Sequence, residues 1–162
     1  MNYGAMGVIA GHEIGHGFDN RGRSFDSTGN YTNTISGPKG ETLRINGNLT
    51  LPENIADNGG IKYSFSAWQD AFNSDPQGIT RKNYKLPGLE KYTPEQMFFI
   101  SYGRVWCEKS MPERLESLLQ NDPHSPAKWK IIGGVQNSLD FARAFKCRAG
   151  VPMSPVNKCS LW

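Results

Sequence analysis

Small and apolar residues dominate positions 3–17 of the chain. A run that is apolar on most of its faces predicts a buried helix, here one that ends at Gly17. A second helix is predicted from Leu51 or Pro52 to Phe72, because proline suits a first turn and apolar residues recur near the helical period. The recurring positions are Ile55, Ile61, Phe65, Trp68 and Phe72.

Three shorter helices are predicted further along the chain. The Thr-Pro-Glu-Gln segment at residues 93–96 has the pattern of an N-cap followed by proline at the first helical position, and it opens a helix that ends near Cys107. Another helix spans residues 112–120, and the last spans residues 135–145. The segments between them are rich in turn-forming residues, with one short strand pair predicted near residues 43–45. We therefore expect a mainly α fold with long loops and little β structure.

Composition narrows the function classes. The 162 residues carry a net charge of only +3, with no run of basic side chains, so we expect neither nucleic acid nor an anionic membrane surface as a partner. No apolar stretch approaches the roughly 20 residues of a membrane span, and residues 1–10 lack the features of a signal peptide. The odd count of three cysteines and two glycosylation sequons, at Asn30 and Asn48, are compatible with a secreted protein.

Chemistry enters with the segment His12-Glu13-Ile14-Gly15-His16 on the first predicted helix. The i, i+4 spacing places both imidazoles on one face, about one turn apart, so that both can bind one zinc ion. Glu13 projects beside them, where its carboxylate can take a proton from water. The competing interpretation is a pair of ordinary surface histidines, but the apolar flanks favour a metal site.

A catalytic zinc needs a third protein ligand, and the second predicted helix supplies candidates in Glu53 and Asp57. These carboxylates also share a face at i, i+4, so one can bind metal while the other accepts a hydrogen bond from a ligand imidazole. Alone this pair is a weak signal, because surface carboxylates are common at this spacing. Combined with the histidine motif it predicts a complete zinc site.

Three segments, GHEIGHGFDNRG, LPENIADNGG and DPHSPAKWKIIGGVQNS, together with the ending KCSLW, resemble the neprilysin and endothelin-converting-enzyme family of zinc peptidases. The resemblance covers nearly the whole chain and fits the animal members best. It implies a gluzincin-type catalytic lobe, here residues 1–162 as one lobe. It also implies an endopeptidase that cleaves oligopeptides outside the cell, before hydrophobic residues.

The resemblance assigns roles residue by residue. His12, His16 and Glu53 match the ligands of one zinc ion, Glu13 the catalytic base, and Asp57 the carboxylate that steadies His12. His124 matches the histidine that binds the oxyanion, although alone it reads equally well as a loop residue. The pocket for the side chain after the scissile bond would be lined by four residues that plain core packing also explains: Val8, Ile9, Val105 and Trp106.

The sequence departs from the family pattern in three ways. Lys130 stands where the family has an arginine that binds a substrate carbonyl, and a lysine cannot form that two-pronged contact. The stretch between Thr34 and Leu43 is shorter than in relatives by a few dozen residues, including the cysteine expected to pair with Cys159. The third departure lies upstream, where relatives carry a large helical lobe that closes over the zinc and a segment that binds the substrate backbone.

Two consequences follow from these departures. The partners that the resemblance implies for Cys107 and Cys147 lie in the upstream portion, although a bond between these two cysteines is an alternative. Faces that the upstream lobe covers in relatives, bearing Trp68, Phe98 and Phe99, would be exposed. Two rival functions therefore stand beside a peptidase: a zinc-binding protein without useful turnover, and a truncated relative that serves as an interaction module.

Overall fold

The computed structural model describes residues 1–21, 47–74 and 85–159. The chain opens with a π-helical turn at Tyr3–Gly7, continues without a break into α1, and finishes this run with a 3₁₀ turn at His16–Phe18. The α-helices of the described ranges are α1 (Val8–Gly15), α2 (Gly47–Asn73), α3 (Pro94–Val105), α4 (Pro112–Asn121), α5 (Ala127–Asn137) and α6 (Leu139–Ala144). The prediction of a mainly α fold is confirmed.

The second helix begins earlier than predicted. Pro52 lies inside α2, not in its first turn as predicted from the sequence. An interior proline removes one backbone hydrogen bond, which usually ends or kinks a helix. Here the ring of Pro52 is buried together with Thr50, so packing offsets the missing bond. The strand pair predicted near residues 43–45 lies outside the described residues.

The helix predicted over residues 135–145 is in fact two helices. Residue Ser138 has an extended backbone (φ −79°, ψ 120°) that ends α5, and its hydroxyl accepts the backbone N–H of Phe141 at 3.1 Å to cap α6. Serine competes well for this role, because its side chain can satisfy a free N–H at a helix start. The preceding helix α5 already begins at Ala127, eight residues before the predicted start.

The predicted cap at residues 93–96 is confirmed. The hydroxyl of Thr93 accepts the Gln96 backbone N–H at 3.2 Å, and the Gln96 side chain accepts the Thr93 N–H at 3.0 Å. This reciprocal capping box satisfies two N–H groups that a helix start would otherwise leave free. The Gln96 amide also donates to the Ala144 carbonyl at 3.0 Å, which ties the start of α3 to the end of α6.

An aromatic core joins α2, α3 and α6. Phe98 and Phe99 are buried, and Phe65 packs edge-on against the first and stacks on the second at centroid distances of 5.0 and 5.2 Å. The expectation that Trp68, Phe98 and Phe99 are exposed is wrong: Trp68 is partly buried against this core. These rings pack against one another, and Phe99 also packs against Phe141 of α6. Their burial therefore does not require a second lobe.

Two glycines let α1 and α2 approach closely. A Cβ on Gly60 would lie 2.6 Å from the Val8 carbonyl oxygen and 2.9 Å from the His12 nitrogen, closer than any side chain tolerates. Gly11 faces the same crossing, where a Cβ would lie 3.1 Å from the Gly60 Cα. The absence of side chains here brings the backbones of the two predicted ligand-bearing helices into contact.

Within the described ranges, β pairing is limited to a single bridge between Val151 and Ser154. No helix in these ranges combines the length and apolar character needed to cross a bilayer.

Candidate metal centre

Three side chains converge where α1 crosses α2. The Nε2 atoms of His12 and His16 lie 3.0 Å apart, as the i, i+4 spacing predicts. Glu53 of α2 reaches both rings, with 3.2 Å from its Oε2 to His12 Nε2 and 3.5 Å from its Oε1 to His16 Nε2. One nitrogen or oxygen from each residue lies within 4.8 Å of the others, so this group can hold a metal ion.

The outer nitrogens of both rings are occupied. His12 Nδ1 lies 2.8 Å from Asp57 Oδ1, and His16 Nδ1 lies 2.7 Å from Asp19 Oδ2. A carboxylate only accepts hydrogen bonds, so each Nδ1 must be the donor. In the neutral rings the two Nε2 lone pairs therefore point at each other and at Glu53.

This arrangement fits a cation and is unfavourable without one. Glu53 Oε2 is buried and accepts no hydrogen bond, although His124 Nε2 lies only 3.2 Å away. Three converging lone pairs repel one another unless a positive charge lies between them. The ligand atoms of a tetrahedral zinc, each about 2.0 Å from the ion, are roughly 3.3 Å apart. The two Nε2 atoms are 3.0 Å apart, and the distances of 3.2 and 3.5 Å from them to the two carboxylate oxygens of Glu53 are close to that spacing.

A proton on His16 can partly replace such a cation. Burial opposes charge on this ring, but the hydrogen bond to Asp19 outweighs it together with the charges of Glu53, Asp19 and Glu13. The pKa of His16 therefore lies above its ordinary value of 6.5. Protons and metal compete for this ring.

A cleft of about 290 Å³ opens beside these groups, and Glu13 lies on its wall. The Glu13 side chain is exposed, as a group that exchanges protons with a substrate must be. Further residues that line the cleft include Ile9, His12, Trp106, His124, Ser125 and Lys130.

His124 lies in the loop between α4 and α5, with half of its side chain exposed. Its Nδ1 lies 2.8 Å from Asp122 Oδ1, and the same oxygen accepts the His124 backbone N–H at 2.8 Å. This backbone hydrogen bond, aided by the ring, holds the pKa of Asp122 below its ordinary value. Asp122 is therefore ionised at neutral pH and fixes the ring so that Nε2 faces Glu53 and the cleft.

Lys130 of α5, which was predicted to bind substrate, is buried and lines the inner wall of the cleft. Its ammonium lies 2.7 Å from Asp57 Oδ1, the oxygen that also accepts from His12, and 4.7 Å from the centre of the Trp106 ring. The Tyr102 hydroxyl donates to the Lys130 carbonyl at 3.1 Å. Burial, and then the charge of Asp57, raises the pKa of Tyr102, so this donor keeps its proton.

The four predicted pocket residues separate into two pairs. Ile9 and Trp106 line the cleft, on the α1 side and at the end of α3. Val8 is buried in the aromatic core instead, where it packs with Phe65 and Ile61. Val105 is 40% exposed and is not among the described residues that line the cleft.

Two carboxylates that the sequence reasoning did not identify complete the site: Asp19 and Asp122. Asp19 is 2% exposed and follows His16 by three residues, a spacing at which a turn brings the side chains together. The sequence signal for both was their spacing, because Asp19 lies within one turn of His16 and Asp122 within one turn of His124. Asp19 also accepts the Arg21 backbone N–H at 2.7 Å.

The cysteines form no disulfide within the described ranges. Cys107 and Cys159 are exposed and Cys147 is partly buried, and all three are free. The alternative bond between Cys107 and Cys147 is therefore not formed.

Solved structures, one of them a zinc metalloprotease, share this fold. The Mycobacterium tuberculosis zinc metalloprotease Zmp1, solved with an inhibitor, superposes with a TM-score of 0.73 at 28% identity over 91% of this chain and 25% of that one. A Haemonchus galactose-containing glycoprotein complex gives 0.77 at 30% identity over 95% and 28%. The fold and the three metal-binding residues are together those of the zinc metalloprotease class.

Sequence comparison identifies the family within this class. The model of peptidase family M13 matches residues 1–39 and 33–161. Neprilysin-1 of Caenorhabditis elegans is 42% identical over all of this chain and 24% of its own length. The endothelin-converting enzyme homolog of Locusta migratoria is 39% identical over the same shares. The chain belongs to peptidase family M13, and it spans about a quarter of the length of these relatives.

Family membership makes zinc the cofactor, in agreement with the donor set. The alignments also bear on the predicted shortening. The match to Neprilysin-1 extends over 183 positions against 162 residues here, so that relative carries about 20 positions that this chain lacks. The two segments of the family match overlap at residues 33–39, which coincide with the start of the stretch where the resemblance places the shortening.

Proposed function

We propose that this chain forms the metal-binding and catalytic part of a zinc endopeptidase that hydrolyses oligopeptides. His12, His16 and Glu53 hold the zinc ion, and Asp57 and Asp19 orient the two imidazoles. The observation that carries the proposal is the convergence of two imidazole nitrogens and a buried carboxylate oxygen that accepts no hydrogen bond. When bound, zinc polarises the peptide carbonyl and lowers the pKa of an attacking water towards 7.

The chain's own residues move the protons. Glu13 lies on the cleft wall beside the ligands, so its carboxylate can take a proton from the attacking water and pass it to the leaving amine. His124 directs Nε2 into the same cleft. With Nδ1 donating to Asp122, Nε2 donates only when the ring carries both protons, and the ionised Asp122 is the counter-charge for that form. His124 can then donate a hydrogen bond to the developing oxyanion.

Ile9 and Trp106 belong to the apolar part of the cleft wall, together with Leu118, Pro126 and Ala127. Their position supports a preference for a hydrophobic side chain after the scissile bond, because burying such a side chain stabilises the complex by about 1.5–3 kcal/mol. Lys130 also faces the cleft, and we assign it a weak contact to a substrate carbonyl because its ammonium is already bound to Asp57.

The deciding experiment combines zinc analysis with hydrolysis of an internally quenched peptide that has a hydrophobic residue after the cleaved bond. We expect one zinc per chain, and a loss of kcat of at least about 100-fold in Glu13→Gln with zinc retained. Glu90→Gln, an exposed carboxylate in the loop before α3, is the matched control and should leave the rate unchanged.

The second candidate function is a zinc-binding protein without turnover. The observation that favours it is Lys130, buried and paired with Asp57 where the family pattern has an arginine for the substrate. Stoichiometric zinc with no Glu13-dependent hydrolysis would select this candidate. Protein that binds no zinc would exclude both candidates and leave the interaction module.

We also propose an extracellular location, supported by the two sequons and by relatives named as neprilysins and endothelin-converting enzymes. A mass decrease after treatment with an N-glycosidase is the expected result. A chain of unchanged mass that is found only in the cytosol would contradict this location.

A further inference from the structure

The loop that carries His124 has few backbone bonds to hold it. Its flanking residues Pro123 and Pro126 have no N–H, and the only N–H bond within it, from His124, goes to the side chain of Asp122. The regular backbone bonding of α4 reaches Asp122, and that of α5 resumes with the Trp129 N–H on the Pro126 carbonyl at 2.7 Å. Backbone hydrogen bonding therefore does not determine where His124 lies relative to the metal centre.

A side-chain hydrogen bond fixes the loop instead. The Ser125 hydroxyl donates to Asn54 Oδ1 at 2.8 Å, between residues 71 positions apart in sequence. Ser125 is 7% exposed, so water does not readily replace this partner. The amide of Asn54 is oriented in turn, because its Nδ2 donates to the hydroxyl of Thr50 at 3.1 Å. Thr50 is 3% exposed, so the acceptor of this second bond is also shielded from water.

The position of Asn54 gives this bond its significance. Asn54 follows Glu53 on α2 and lies three residues before Asp57. About one turn of this helix therefore carries a predicted zinc ligand, the hydrogen-bond partner of His12 and the residue that binds the His124 loop. Shifting the loop by a fraction of an ångström changes the distance from His124 Nε2 to any group at the metal. Such shifts strongly affect a hydrogen bond that must form in the transition state.

We propose that Asn54 and Ser125 are positioning residues that couple the His124 loop to the ligand-bearing helix and so set the oxyanion donor relative to the zinc. The inference rests on the proposed function of the centre. Asn54 is not among the residues that line the cleft, and Ser125, which does line it, uses its hydroxyl to donate to Asn54, so we assign both residues an effect that acts through His124.

The chain contains a matched control for this bond. At the end of α5 away from the His124 loop, Asn137 Nδ2 donates to Asn58 Oδ1 of α2 at 3.1 Å. Removing it by Asn137→Ala tests the general attachment of α5 to α2 without touching the His124 loop. If Ser125 had a purely structural role, Ser125→Ala and Asn137→Ala would lower kcat by similar factors.

The test measures kcat, KM and zinc content of the zinc-loaded protein carrying Ser125→Ala, Asn54→Ala, both changes, Ser125→Thr or Asn137→Ala. We expect Ser125→Ala to lower kcat about tenfold, less than the roughly 100-fold typical of deleting an oxyanion donor. KM should change less than twofold, and zinc should stay at one per chain. The double variant should be no slower than the slower single variant. Ser125→Thr, which keeps the hydroxyl, should recover most of the rate.

Binding gives a second measurement that does not require turnover. A peptide phosphonate presents a tetrahedral anion to His124, whereas a thiol peptide of the same sequence binds metal without one. Ser125→Ala should weaken the phosphonate about tenfold and leave the thiol peptide unchanged. Additive losses in kcat, equal weakening of both ligands, or an equal loss in Asn137→Ala would overturn the proposal. Absence of hydrolysis in the unmodified protein would instead refute the proposed function, and the comparison of ligands would still test the coupling.

Discussion

The two histidines of the metal centre occupy the same helix face but depend on different parts of the fold. The His12 side chain is 10% exposed, and its outer nitrogen binds Asp57 of α2, which in turn binds Lys130 of α5. The His16 side chain is 31% exposed, and its outer nitrogen binds Asp19, three residues further along the same segment. One half of the centre therefore requires the packing of three helices, and the other half requires only a local turn.

The largest effect should come from Asp57→Ala. This change leaves the buried ammonium of Lys130 without a partner, which typically costs about 3–5 kcal/mol of unfolding free energy. Loss of the hydrogen bond to His12 should also weaken zinc binding by roughly 10–100-fold. Urea unfolding of the metal-free protein and zinc titration check the two parts. The double variant Asp57→Ala, Lys130→Met removes the unpaired charge and should recover much of the stability but not the zinc affinity.

The corresponding change on the other side, Asp19→Asn, should be milder. No buried cation loses its partner, since His16 can remain neutral and partly hydrated. We expect a loss of about 1–3 kcal/mol in stability, from weakened bonds to His16 and to the Arg21 N–H, and about tenfold weaker zinc binding. The same titrations serve as the measurement. A loss of stability equal to or greater than that of Asp57→Ala would contradict the difference between the two halves.

The pH dependence of the metal-free protein sharpens the comparison. A raised folded-state pKa means that the folded state binds the proton more tightly, so this contribution of His16 is fully present below the unfolded value of 6.5. It is lost as pH rises through the folded-state pKa. Asp19→Asn should therefore flatten the profile of unfolding free energy in this window. A profile identical to that of the unmodified protein would show that Asp19 does not control this proton.

The smallest expected effect is that of Lys130→Arg. A guanidinium can bind Asp57 through one N–H and direct a second N–H into the cleft. An ammonium has only one nitrogen, so it cannot reach both places as well. We expect kcat/KM for a peptide substrate to rise severalfold, an effect of about 1 kcal/mol on transition-state binding. An unchanged kcat/KM would remove Lys130 from the substrate contacts and leave it as the partner of Asp57.

Short-range sequence patterns predicted much of this structure. The spacing of His12 and His16 is a property of one helix, and the capping box at residues 93–96 is likewise local, so both could be predicted. The resemblance to a known family, more than any pattern, singled out His124. The predicted start of α2 at Leu51 or Pro52 was wrong, because the burial of Pro52 inside the helix depends on packing that the local sequence does not show.

The contacts that hold the site together were harder to predict. The bonds from Lys130 to Asp57 and from Ser125 to Asn54 join residues about 70 positions apart, and nothing in either local sequence indicates its partner. The close approach of the two helices at Gly60 was equally hard to predict, because a glycine in a sequence can serve many structural purposes. Asp19 is the exception, because it follows His16 by only three residues and a turn at this spacing can be predicted from the local sequence.

The central claim is that His12, His16 and Glu53 hold one zinc ion, and X-ray absorption at the zinc edge of the loaded protein tests it most directly. We predict a first shell of nitrogen and oxygen at about 2.0–2.1 Å with the outer-shell signature of two imidazoles. Glu53→Ala should weaken zinc binding without bringing sulfur into that shell. The chain also has three free cysteines. A sulfur shell at about 2.3 Å in the unmodified protein would show that zinc binds to cysteine instead and would contradict the claim.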